Sequence, residues 1–97
     1  MEFLDKLAET VVKETIQSLA TTGKRVNSQN VPPEAQRLLR QKGRGRVTEA
    51  DAQRRVSQAI DRLRERKEIK APTAPYNDWG VMDYRSAVAK AKESAEP

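Results

Sequence analysis

The sequence predicts a mainly α domain of three helices closed by a small β-hairpin. Apolar side chains recur at helical spacing twice, as Leu4, Leu7, Ala8, Val11 and Thr15 and as Ala52, Val56, Ala59, Ile60 and Leu63. Between these runs, Pro32-Pro33 and Gly43-Arg44-Gly45-Arg46 bracket a shorter periodic stretch. Beyond Ile69 the helical pattern stops. Pro72, Pro75 and the turn pair Asn77-Asp78 lead there into Trp79-Gly80-Val81-Met82-Asp83-Tyr84, which reads as a short strand.

The first helix is expected over about residues 3–20. Phe3, Val12, Ile16 and Leu19 widen its stripe, which implies burial on more than one side. Gly23 suits the left-handed position that closes such a helix. Lys24-Arg25-Val26-Asn27 is a short extended piece, and Ser28 is the expected cap of the next helix. The second helix is expected over about 33–42, because proline at a first helical position loses no needed N–H. Ala35, Leu38 and Leu39 form its buried side. The third helix runs from about Glu49 to Lys67, with Thr48 as N-cap and Asp51 three residues on. Two strands, around 68–71 and 79–84, flank a proline-containing tip, with Val81 and Trp79 inward and Tyr76 exposed at the turn. Leu7, Val11, Leu38, Val56, Ile60 and Leu63 sit at stripe centres and are expected to share one core. Residues 1–84 make one domain, and 85–97 read as a frayed helix or a disordered tail.

At 97 residues, 36% hydrophobic and 34% charged, there is material for one modest core. The chain has no cysteine, hence no disulfide, zinc–thiolate site or thiol nucleophile. It has no histidine, the commonest general base and metal ligand. With no glycine-rich phosphate loop either, catalysis is not expected, nor is a cofactor, a metal or a small-molecule ligand. No apolar run approaches the ~18 residues of a membrane span. The acidic, periodic start Met1-Glu2-Phe3-Leu4-Asp5 is unlike a signal peptide, so a cytoplasmic or nucleoid-associated protein is expected.

The net charge of +5 is unevenly spread. Residues 1–20 carry −2, residues 21–47 carry +6, residues 48–70 carry +2 and residues 71–97 carry −1. The positive potential therefore lies mid-chain beside the third helix, where it favours polyanions and steers them in. The bland alternative is a solvated basic face.

Helix, short strand, helix, turn, longer helix and hairpin is an order that resembles the winged helix-turn-helix family. At residue level the likeness sits in Val56-Ser57-Gln58-Ala59-Ile60-Asp61-Arg62-Leu63-Arg64-Glu65-Arg66-Lys67-Glu68-Ile69-Lys70. That run is similar to a recognition helix passing into the first strand of a wing. The chain departs from the pattern in its long, basic segment from Pro33 to Thr48 and in a wing holding Pro72, Pro75, Tyr76 and Trp79.

The resemblance implies a small DNA-binding protein, a transcriptional regulator whose third helix lies in the major groove of duplex DNA. Arg54, Arg55, Ser57 and Gln58, placed on or near the outward side, are the candidates for base edges or flanking phosphates. Arginine matches guanine through two parallel hydrogen bonds and glutamine matches adenine in the same way. Lys24, Arg44 and Arg46 would neutralise phosphates, and Thr48 with the first N–H groups of the helix would meet another. Lys70, Tyr76 and Asn77 would follow the backbone or minor groove from the wing. Ion pairs within the helix, Asp51 with Arg55 and Asp61 with Arg64, are the competing use of these arginines, and exposed pairs of that kind are weak. A homodimer, which would suit a palindromic site, is left open. The alternative is a winged-helix adapter that meets protein rather than DNA.

Overall fold

The computed structural model describes residues 2–72 and 78–82. Three helices, α1 (Phe3–Thr21), α2 (Val31–Gly43) and α3 (Glu49–Glu65), precede two short strands, β1 (Ile69–Lys70) and β2 (Gly80–Val81). The strands pair antiparallel, Ile69 opposite Val81 and Lys70 opposite Gly80. The expected hairpin pairing is thus present over Gly80–Val81, while Asp83, Tyr84 and the tail at 85–97 lie outside the described residues.

Each helix end has a local cause. Gly23, with φ of 74°, closes α1: its N–H reaches the Ala20 carbonyl, and the Lys24 N–H reaches that of Leu19. The same pair of bonds closes α3, where Lys67 takes φ of 59° and the Glu68 N–H reaches the Leu63 carbonyl. That left-handed residue ends α3 at Glu65, two residues before the expected Lys67. At the start of α3 the Thr48 hydroxyl accepts the Asp51 N–H at 3.1 Å, the expected cap.

The second helix begins two residues before the expected Pro33. Asn27, not Ser28, organises its entry: buried Asn27 accepts the N–H groups of Gln29 and Asn30 on its side-chain oxygen, at 3.0 and 2.9 Å. Pro32 and Pro33 then fall in the first turn, where amide hydrogens have no helical partner. The helix also runs one residue past Lys42. A Cβ on Gly43 would come within 2.8 Å of Val47 Cγ2, so the end of α2 closes directly on the chain leading into α3. Arg44 at φ 49° and Gly45 at φ 83° reverse the backbone there. The link between α2 and α3 is therefore the five-residue stretch 44–48, shorter than the sequence suggested.

The wide stripe on α1 reflects its position against both other helices. Ala8, Val11, Val12, Thr15, Ile16 and Leu19 are all buried. They meet Ala35 and Leu39 of α2 and Val56, Ala59, Ile60 and Leu63 of α3 in one cluster. Leu7 and Leu38, expected at the centre, are partly buried at its edge. Phe3 does not join the stripe: it stands 72% exposed, on the side of α1 shared with exposed Thr10, Glu14 and Gln17.

Trp79 fills the space under the hairpin, 6% exposed, with its indole N–H directed to the Pro72 carbonyl at 3.2 Å. Its backbone N–H donates to the Val26 carbonyl at 2.7 Å, tying the extended piece between α1 and α2 to the edge of the sheet. No helix among the described residues is long and apolar enough to cross a membrane.

Candidate nucleic-acid interface

The arginines of α3 divide into two sets, and the dividing agent is α1. Glu2, Asp5 and Glu9 line one side of α1. Opposite them Arg55 donates to Asp5 at 2.7 Å and to Glu2 at 3.3 Å, and Arg62 donates to Glu9 at 2.7 Å and to the Asp5 carbonyl at 3.3 Å. Arg66 also bonds Glu9 and reaches Glu68, which pairs with Lys13. Arg55 additionally bonds Asp51 at 2.9 Å, which leaves its side chain 11% exposed.

The sequence places Arg55 on or near the outward side of α3, with Asp51 as its competing partner. Instead it lies on the inner flank among three carboxylates, because α1 crosses that flank with its acidic face. Its guanidinium is occupied in joining helices. Hydrogen bonds from these bases also shift the acids. Glu9, whose burial alone would raise its pKa, is held below its ordinary value by Arg66 and Arg62. Lys13 and then Arg66 do the same for Glu68, and Arg55 and Arg54 for Asp51.

Arg54, Ser57 and Gln58 do stand on the outward side of α3, as expected, and all are exposed. Arg54 is nonetheless bonded to Asp51. Exposed Asp61 and Glu65 share that side of the helix, so its outward face offers hydrogen-bonding groups but no excess of positive charge. Thr48 is exposed, with its oxygen engaged by Asp51. The carboxylates of Glu49 and Asp51 occupy the first turn, where a phosphate was expected, and already compensate the helix dipole.

The basic surface lies at the other end of the link. Arg44 and Arg46 are exposed on the 44–48 turn and have no carboxylate partner among the described residues. The turn continues into α2, whose exposed side carries Arg37 and Arg40, residues not singled out from the sequence. Arg37 pairs with Glu34 one turn earlier, and Lys42 pairs with Glu14 of α1 at 3.1 Å. The spacing of 37, 40 and 44, opposite Ala35 and Leu39, was the available signal.

The remaining candidates are elsewhere. Lys24 is exposed before α2, separated from Arg44 by a 13-residue helix of about 20 Å. It shares an open groove of about 510 Å³ with Leu19, Arg25, Asn30 and Glu34, whose mixed charges favour no one ligand. Lys70 is exposed on β1, beyond the far end of α3. Tyr76 and Asn77 lie outside the described residues. Among the described residues there is no cluster of three or more acidic side chains able to hold a metal. No protein-family model, no curated protein and no solved structure matches this chain.

Proposed function

We propose that this chain is a small winged-helix protein that binds duplex DNA, as a transcriptional regulator, without catalysis. In this reading α2, the 44–48 turn and α3 form the helix-turn-helix. The β1–β2 hairpin, joined to Val26 through the Trp79 N–H, forms the wing. The observation that carries it is the exposed pair Arg44 and Arg46, without carboxylate partners among the described residues, on the turn that delivers α3. These cations supply affinity by neutralising phosphates. Ser57 and Gln58, with exposed Gln53 beside them, supply the groups that would meet base edges. Arg55 leaves the set of base readers and becomes a positioning residue, holding α3 against α1.

The adapter reading retains one specific observation, the exposed Phe3 in the first turn of α1, a suitable anchor for a protein partner. A duplex-binding titration of Arg44→Ala and Arg46→Ala separates the two. The DNA reading expects both variants to bind every sequence more weakly and with a flatter salt dependence. The adapter reading expects no duplex binding in the unsubstituted chain.

A further inference from the structure

We infer that the outward face of α2 is itself a phosphate-binding surface, in which Arg37, Arg40 and Arg44 track one strand of a duplex; this inference rests on the DNA-binding reading. Ala35 and Leu39 point into the core, and Arg37, Arg40 and Arg44 project from the opposite side of the same helix and its C-cap. At 1.5 Å per residue the row from 37 to 44 is about 10 Å long, and a single strand presents about three phosphates over that axial distance. Three guanidinium groups on a rigid, buried-face helix thus match a regularly spaced polyanion.

Charge elsewhere strengthens the assignment. On the outward face of α3, Asp61 and Glu65 offset Arg54 and the Asp61-paired Arg64, so long-range attraction to DNA does not originate there. Residues 21–47 carry seven basic side chains against Glu34 alone. Glu34 meets Arg37 in an exposed pair, which a phosphate can replace at little cost. Arg40 and Arg44 have no carboxylate partner among the described residues. Residues 31–48 contain no aromatic side chain, so this surface has no platform for stacking unpaired bases, and a duplex suits it better than a single strand. The row delivers affinity without reading sequence, leaving discrimination to Gln53, Ser57 and Gln58.

The test is a titration of the full chain against a labelled duplex of random sequence between 50 and 200 mM salt. It compares the unsubstituted protein with the double variants Arg37→Gln/Arg40→Gln and Arg37→Lys/Arg40→Lys. Both side chains are exposed, so an unchanged thermal melt confirms an intact fold. Losing two phosphate contacts should flatten the log–log salt slope by about 1.8, which shrinks the affinity loss across that salt range about 12-fold. The glutamine variant should weaken binding to all duplexes alike, and the lysine variant should retain most of it. An unsubstituted chain that binds duplex with a slope unaltered by the glutamine variant overturns the α2 row and leaves the DNA reading standing. No duplex binding by the unsubstituted chain overturns both. Binding to polyglutamate instead, lost in the glutamine variant, would assign the row to an acidic protein surface and overturn the inference.

Discussion

Thr15 offers a test of the core whose sign runs against the usual effect of mutation. Its side chain lies in the middle of α1 among Val11, Val12, Ile16 and Leu19, 2% exposed, and its hydroxyl has no hydrogen-bond partner. A buried hydroxyl without a partner costs ~1–3 kcal/mol in lost hydration. Valine has nearly the same shape and the same branching at Cβ, so Thr15→Val removes that cost while filling the same space. The expected gain is ~1–2 kcal/mol. With a urea m-value near the lower end for small proteins, about 1 kcal/mol/M, the denaturation midpoint should rise by about 1–2 M. Thr15→Ser keeps the hydroxyl and deletes a methyl group, so it should lower the midpoint. A midpoint unchanged or lowered by valine, at constant m-value, would show that the hydroxyl is bonded in solution, and the placement of α1 against its neighbours would need revision.

Three further outcomes rest on the packing. Leu63 is fully buried at the meeting of α3 with the hairpin, and Leu63→Ala should cost ~2–5 kcal/mol in urea denaturation, a large share of a small domain's stability. Lys67→Gly should raise stability by ~0.5–1 kcal/mol, because the left-handed backbone at φ 59° strains any residue with a Cβ, and a loss instead would place Lys67 in a contact that matters. Glu9, Asp51 and Glu68 have folded pKa values below their unfolded ones, so their contribution is present above about pH 4.5 and is lost as pH falls through the folded values. Thermal melts should therefore decline below that pH, and Glu9→Gln should flatten the decline.

The three helices and the hairpin were legible because each is written in local signals. Thr48 caps α3, Gly23 ends α1, and the stripe of Val56, Ile60 and Leu63 repeats without interruption. Helix ends shifted where a neighbour decided them: Val47 against Gly43 extends α2, and left-handed Lys67 shortens α3. The candidate site was legible only in part. Whether an arginine of α3 faces solvent or α1 depends on the relative placement of two helices some fifty positions apart in the chain, which periodicity within one helix does not encode. Glu2, Asp5 and Glu9 share a side of α1, and Arg55, Arg62 and Arg66 share a flank of α3, yet only the packed bundle sets these rows against each other. Phe3 has a simpler cause: at helical spacing it lines up with exposed Thr10, Glu14 and Gln17, on the outer side of α1.

The most direct measurement is the affinity of the full, unsubstituted chain for random duplex DNA at 50 and at 200 mM salt. Four phosphate contacts, from Arg37, Arg40, Arg44 and Arg46, give a log–log slope of about −3.6 and an affinity loss on the order of 100-fold across that range. Retention of duplex at micromolar protein and 50 mM salt with that steep loss is the expected result. No retention at 50 mM salt, or binding indifferent to salt, would contradict a duplex-binding role for this basic surface.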